Sequence, residues 1–303
     1  MNPKRTAKSL TLDFARIGQE SISRSLLGVM KIGFEPPSSS VRFPGGRPAA
    51  ACISVDYDHI GNVSKDPRRF EPAPDTNKLA LNRAGTRVLL DLAERHSIPM
   101  TWAVCGKTAE ADTGSYKKIT EAKVGHEIAI HTYSHIDVSA CTETELEQEI
   151  TKCVDILNPA RTPKTFIFPW NRVGHFEKLK QMGFTTFRGR ERVVGAPKLD
   201  RGLWNVPPVF YVDTKSFGAY DLVRRFVELC LEKRSVFHLW THPWSVVYPD
   251  NADALVENLL EPLFAYLEAK RNSGKLSIST LGEISLTMQG SAPSSNLIAS
   301  IST

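Results

Sequence analysis

Apolar residues along this chain follow two rhythms: short unbroken runs, and longer stretches in which they recur at helical intervals. Between residues 9 and 32, Leu10, Phe14, Ile17, Ile22, Leu26, Leu27 and Met30 take the helical spacing with polar residues between them, predicting one or two amphipathic helices. Such a helix fits the outside of a domain, a homo-oligomer contact or peripheral contact with a membrane, and its few basic residues weigh against the last. Pro and Gly punctuate Phe34–Ser40 and Pro44–Pro48 too densely for regular structure, so residues 1–49 read as a helical extension and linker.

From residue 50 the two rhythms alternate. Ala51–Val55 reads as a buried strand, followed by a polar loop from Gly61 to Asn77 and a helix with Ala80, Ala84, Val88 and Leu92 on one face. Ile98–Val104 and Glu127–Ile130 read as strands, and Thr142-x-x-Glu145 as a capping box that opens a helix through Leu157. Next come a strand over Phe166–Phe168, a helix over His175–Met182 stopped by Gly183, and a strand over Phe184–Phe187. A helix over Ala219–Lys233, a strand over Ser235–Trp240, a long helix over Ala252–Asn272 and a strand over Leu276–Ser279 complete a domain spanning residues 50–288. Residues 289–303, rich in Ser, Ala and Asn, read as a flexible tail. The alternation predicts a parallel sheet covered by helices, and periodicity alone leaves open whether that sheet is open or closed into a barrel.

Composition narrows the partners. Hydrophobic residues at 41% and charged residues at 23% suit a globular protein with a sizeable core. A net charge of +5 without any Lys/Arg run argues against nucleic acid. The five cysteines are odd in number, widely spaced and lack a CxxC pair, which fits neither a disulfide framework nor a thiolate zinc site and leads us to expect a reducing, cytoplasmic setting. No continuous apolar run marks a cleaved signal or approaches the ~20 residues that span a bilayer.

In parallel α/β folds ligands gather at the carboxyl ends of strands, so polar residues directly after apolar runs carry the candidate chemistry. Asp56 and Asp58 follow Val55 and share one face of a strand, where two carboxylates need a cation between them or an arginine beside them. His131 and His135, after Ile130, form an HxxxH pair whose spacing on a helical turn chelates one divalent ion. Two histidines and one carboxylate make a three-ligand set with a position left for water, the pattern of a catalytic zinc. His238 and His242 repeat the i, i+4 spacing, but His238 falls inside an apolar run and reads as a packing residue, while His242 falls just past it and reads as functional. Trp170, Trp204, Trp240 and Trp244 suit either the core or a stacking floor for a sugar ring.

Together these motifs resemble the polysaccharide deacetylase family, the NodB-homology or carbohydrate esterase family four group, over roughly Ala50 to Ser285. Ser54-Val-Asp-Tyr-Asp58 is similar to its first motif, implying Asp56 as catalytic base and Asp58 as metal ligand. His131-Thr-Tyr-Ser-His135 matches the H-[ST]-x-x-H motif, and Leu239 with His242 the last motif, implying His242 as the acid that protonates the leaving amine. Phe166-Ile-Phe-Pro-Trp-Asn-Arg172 keeps the Pro-aromatic pair of the third motif but lacks the arginine before it, so Arg172 is expected to orient Asp56 from the other side. The fourth motif is only loosely echoed by Arg201-Gly-Leu-Trp204, which leaves the partner of His242 unassigned. The resemblance implies a distorted (β/α)7 barrel, one divalent ion, zinc first, on Asp58, His131 and His135, and an N-acetylated carbohydrate as substrate. Trp170, Tyr133, Leu239 and Trp244 are then expected to line the substrate. Within the same chemistry a formamide or a cyclic amide is the alternative; outside it, an inactive glycan-binding relative.

Overall fold

Eight consecutive buried residues, Ala50–Tyr57, form the central strand β2, covered on both faces as a strand in a parallel sheet must be. The computed structural model describes residues 32–34, 41–58, 76–248 and 251–291. The expected helices over 9–31, most of the 61–77 loop and the tail from 292 lie outside the described residues. In chain order the strands are β1 Ile32–Phe34, β2, β3 Thr101–Val104, β4 Glu127–Ile130, β5 Thr165–Ile167, β6 Thr186–Arg188, β7 Arg192–Val194, β8 Lys198–Asp200, β9 Leu203–Asn205, β10 Phe210–Val212, β11 Val236–Thr241 and β12 Ser277–Ile278. The helices are α1 Thr76–His96, α2 Gly106–Ala111, α3 Thr113–Glu121, α4 Glu143–Leu157, α5 Phe176–Gln181, α6 Tyr220–Lys233, α7 Pro243–Val246, α8 Ala252–Leu255, α9 Glu261–Asn272 and α10 Leu281–Ser291.

Seven neighbouring parallel strands, β10-β11-β2-β3-β4-β5-β6, make the distorted barrel; β9 adds parallel to β6, and β8 pairs antiparallel with β9. Among the described residues no pairing joins β8 back to β10, so the curled sheet stays open at that seam. The capping box of α4 forms as its sequence predicts, Thr142 Oγ1 accepting from the Glu145 amide while the Glu145 carboxylate accepts from the Thr142 amide. Gly183, at φ 88°, stops α5 in the left-handed conformation glycine tolerates. The long helix expected over Ala252–Asn272 is interrupted by a π-helical turn at Val256–Leu260 that ends two residues before Pro262, whose missing N–H cannot continue the α pattern. Ile32–Phe34, expected at the helix end and linker, is instead a strand parallel to β7. Among the described residues no helix is long and apolar enough to cross a membrane.

Strand alternation divides the interior in two. Ala51, Ile53, Val55 and Tyr57 face the helices and join the large core with Trp102, Phe166, Phe168, Phe187 and Leu239. Ala50 and Cys52 face the inside of the curl, where a smaller cluster of Ala103, Ala129, Ile167, Val206 and Val236 is closed by Phe43 and by Leu281, Ile284 and Met288 of α10. One end of the curl is therefore plugged with apolar side chains. At the other end the inward positions turn polar.

Candidate active site

The inward-facing positions of β2 run Cys52, Ser54, Asp56 and then Asp58 just past its end; those of β11 run His238, Trp240 and then His242. In-register pairing of His238 with Cys52 and Trp240 with Ser54 sets the two columns side by side. β4 delivers His131 immediately after Ile130, and β6 ends on Arg188.

His131 and His135 do not sit on a helical turn. They lie in a loop in which Thr132 (φ 59°) and His135 (φ 60°) are left-handed, an uncommon state for a β-branched threonine. The loop is tied down on several sides: the Gly106 amide donates to the Thr132 carbonyl, and the Glu149 carboxylate accepts from both the amide and hydroxyl of Ser134 at 2.7 Å. The imidazole rings end 4.8 Å apart.

Asp58, His131 and His135 present one donor atom each, all within 4.8 Å of one another and all buried. His135 Nε2 lies 3.3 Å and His131 Nε2 4.0 Å from Asp58 Oδ2. The Ile167 carbonyl, 2.7 Å from His131 Nδ1, can only accept, so Nδ1 carries the proton and the lone pair is on Nε2. That Nε2 is buried and makes no hydrogen bond to the protein, a costly state for a polar atom unless something else fills its lone pair. Burial first, and then the neighbouring His135, push the pKa of His131 down to about 4, keeping it the neutral imidazole a ligand requires. The cradle fits a divalent cation.

Asp56 stands beside it, 3% exposed, in a two-pronged pair with Arg188: Nη1 donates to Oδ1 at 2.7 Å and Nη2 to Oδ2 at 2.6 Å. Burial would raise the Asp56 pKa, but the charge and hydrogen bonds of Arg188 outweigh it and the carboxyl is held below its usual range. Arg188 is itself fixed: its guanidinium stacks 4.4 Å over the Trp240 ring and donates at 3.1 Å to Ser54 Oγ. Ser54 lies 2.8 Å from His238 Nε2, and His238 Nδ1 donates to the Val206 carbonyl. His238 thus packs in the buried interior, as its place in an apolar run predicts, and here supports the arginine.

The arginine expected at 172 is found elsewhere. Arg172 is half-exposed and bonds Asp137, whose other contacts are the Ser139 amide and hydroxyl, so it ties two loops together rather than reaching Asp56. Leu239 also departs from expectation: alternation turns it away from the column of His238, Trp240 and His242 into the large core. Tyr133 is committed outward, its hydroxyl bonding Glu110 at 2.6 Å with the Lys152 ammonium 3.7 Å over its ring. Trp170 and Trp244 do border the cluster. The Trp170 ring is 4.8 Å from that of His135 and 42% exposed, and Trp244 Nε1 donates to Asp58 at 3.4 Å while its ring lies 4.9 Å from that of His242.

His242 closes the site opposite Arg188, with Nε2 3.9 Å from Asp56 Oδ2 and 3.7 Å from Asp58 Oδ2. Its Nδ1 meets the Tyr211 hydroxyl at 3.2 Å, which supplies the partner the sequence left unassigned. Its loop is seated through glycine: a Cβ on Gly85 of α1 would fall 1.7 Å from the Pro243 carbonyl oxygen, so only Gly lets α1 approach α7 this closely.

Residues 73–185 match the family model for polysaccharide deacetylase. A peptidoglycan deacetylase from Helicobacter pylori is 30% identical over 104 residues, 33% of this chain and 35% of that protein. A peptidoglycan-N-acetylglucosamine deacetylase from Bacillus cereus is 36% identical over 73 residues, 24% and 26% of the two chains. The alignments thus span about a third or less of these relatives. Two solved structures share the fold more broadly: one from Mycobacterium smegmatis assigned as a polysaccharide deacetylase (TM-score 0.66, 19% identity, 84% of this chain and 96% of that one) and the Puue allantoinase (TM-score 0.59, 16% identity, 83% and 93%). The matched region thus holds the His131–His135 loop, and the fold is similar to that of the Mycobacterium smegmatis protein over most of the chain.

Proposed function

We propose that this protein is a metal-dependent hydrolase that removes the acetyl group from an N-acetylated amino sugar, in a glycan or a carrier-linked intermediate. The observation that carries this reading is the buried convergence of Asp58, His131 and His135 beside an arginine-held carboxylate and a histidine on the opposite wall. A divalent ion held by the three residues, zinc being first choice, supplies Lewis acidity, polarising an acyl carbonyl and acidifying a water. Asp56, kept ionised by Arg188, takes the proton of the attacking water. The Trp170 amide, in the left-handed turn after β5, is assigned to the oxyanion. His242 gives its Nε2 proton to the departing amine. The exposed Trp170 face and Trp244 form the walls against which a sugar ring stacks. The family's N-acetyl chemistry and the names of the aligned relatives favour an amino sugar, whereas the allantoinase likeness is one of fold alone.

The test is acetate release from N-acetylglucosamine oligomers and from lipid- or nucleotide-linked N-acetyl sugars by metal-loaded protein, with a chelated control and a cyclic ureide alongside. Chelator-sensitive acetate release is the expected result. Turnover of the ureide alone moves the protein to cyclic amides, and stoichiometric metal without turnover of any substrate identifies a glycan-binding relative.

A further inference from the structure

We propose that Tyr211 is a positioning residue for His242: its hydroxyl oxygen accepts the Nδ1 proton and so makes Nε2 the nitrogen that gives up its proton to the leaving amine. The inference rests on the deacetylase reading of the site.

The geometry begins on β10 and β11, which pair in register at Tyr211 and Trp240. The Tyr211 ring lies 4.4 Å from that of Trp240, and Trp240 also stacks against the Arg188 guanidinium that holds Asp56. One indole thus backs the partner of the base and the partner of the acid. From this seat the Tyr211 hydroxyl reaches His242 Nδ1 at 3.2 Å. The His242 ring is flanked by Trp240 at 5.5 Å and Trp244 at 4.9 Å, so the hydroxyl has only the ring's identity of nitrogens left to settle.

Two carboxylate oxygens, on Asp56 and Asp58, face Nε2 at 3.9 and 3.7 Å. Nε2 is thus the nitrogen on the reacting side of the pocket, and Nδ1 the one turned to Tyr211. A ring that gives its Nε2 proton to the amine must keep the other on Nδ1 when the C–N bond breaks. Free imidazole favours the tautomer protonated on Nε2, the wrong one for a donor that has just used that proton. An acceptor at Nδ1 reverses the preference. Burial pushes the Tyr211 pKa well above its ordinary value, so the phenol is neutral and holds the Nδ1 proton without adding a third negative charge to the pocket. In the transfer, the C–N bond breaks with its electron pair on nitrogen, nitrogen takes the Nε2 proton, and His242 is left neutral with its proton on Nδ1 against Tyr211. The proton that Asp56 took from water returns to His242 across their shared side of the pocket, and the cycle closes with amine and acetate as products.

Tyr211→Phe keeps the ring on Trp240 and deletes only the hydroxyl. In metal-loaded protein we expect kcat for the N-acetyl substrate to fall roughly 10- to 100-fold with KM nearly unchanged, a share of the 10²–10⁴ that general acid catalysis contributes. Turnover of p-nitrophenyl acetate, whose phenolate leaves without a proton, should fall less than about threefold. Equal losses on both substrates, as a general disturbance of the pocket would cause, or no loss on either, would overturn the proposal. A readout without turnover separates this idea from the deacetylase reading: imidazole ¹⁵N spectra of chelated wild-type and variant protein. His242 Nδ1 is expected to appear protonated in the wild type and to move toward the Nε2–H tautomer in Tyr211→Phe, while His131 stays in place. Identical His242 signals in the two proteins sink the proposal even if acetate is released; a clear shift sustains it even if the substrate is not an amino sugar.

Discussion

Replacing Arg188 by methionine keeps much of its volume and removes its charge, and it asks directly whether Asp56 depends on β6. Both partners are nearly inaccessible, Asp56 at 3% and Arg188 at 1%, and are joined by two charge-assisted hydrogen bonds of 2.7 and 2.6 Å. Hydrogen bonds to charged groups contribute about 1.5–3 kcal/mol each, and removing one partner of a buried pair costs about 3–5 kcal/mol, so the two routes agree on magnitude. At roughly 2–4 °C per kcal/mol for a domain of this size, Tm should fall by roughly 6–20 °C. The pH dependence has a definite sign. In the parent, Arg188 holds the Asp56 pKa below its ordinary value, so the pair stabilises the fold above about 3.9 and the benefit fades as pH falls further. In the variant burial prevails and the pKa rises, so that stability is intact below about 3.9 and is lost as pH climbs toward neutrality. The deficit should therefore be small near pH 4 and grow toward pH 7. Urea unfolding of chelated parent, Arg188→Met and Arg172→Met across that range is the assay. Arg172, half-exposed on Asp137, should cost less than about 1 kcal/mol. A pH-independent deficit, or one no larger than that of Arg172→Met, would refute the assignment of Arg188.

The cradle predicts that His131→Ala loses the ion whereas Asp56→Asn and His242→Ala keep it while losing turnover; metal analysis of the purified variants decides, and normal metal in His131→Ala would reject the ligand set. Gly85→Ala drives a methyl into the Pro243 carbonyl and should cost about 1–3 kcal/mol or more while displacing His242 and Trp244, read as lowered unfolding stability together with lowered kcat. Acid should weaken the fold before the carboxylates titrate, because burial, followed by the charge of Arg188, pushes His238 down to about 3. A histidine kept neutral in the fold but free to protonate near 6.5 when unfolded removes stability as pH drops below that value, by up to about 1.4 kcal/mol per pH unit. His238→Gln should flatten the urea-stability slope of chelated protein between pH 6.5 and 4.5, and an unchanged slope would mean that another group carries it.

The strands that were legible in the sequence are those whose apolar runs are long enough to be buried on both faces, such as Ala50–Tyr57 and Val236–Thr241. The metal candidates were legible because each directly follows such a run. Arg188 carries no such mark: two threonines interrupt Phe184-Thr-Thr-Phe187 before it, so no unbroken apolar run points to the residue at the end of β6. Tyr211 could not be found that way: β7 to β10 are three-residue strands with no run long enough to show a period, and their pairing depends on neighbours distant in sequence. Asp137 lies inside the very loop the HxxxH motif defines, but its choice of Arg172 is a matter of three-dimensional reach.

The repeated i, i+4 histidine spacing shows how one number carries opposite meanings in different backbones. At 3.3 Å per residue, four positions along a strand separate His238 from His242 by roughly 13 Å, too far to share an ion yet on the same face. One therefore lies deep, next to Ser54, and the other at the rim, next to the carboxylates. The same spacing in the His131–His135 loop, bent by two left-handed residues, brings the rings to 4.8 Å. The placement of His242 against Asp56 then follows from pairing register. With Trp240 opposite Ser54, continuing the ladder two residues puts His242 beside Asp56, and the same ladder puts His238 beside Cys52 in the apolar floor. A slip of one residue between β2 and β11 would turn His242 toward the helices and Leu239 into the pocket. Cys52 of β2 and Val236 of β11 pack in the apolar floor together with Ala103 and Ala129, so substitutions there are expected to act on the distance between Asp56 and His242 before they act on Asp58, His131 and His135.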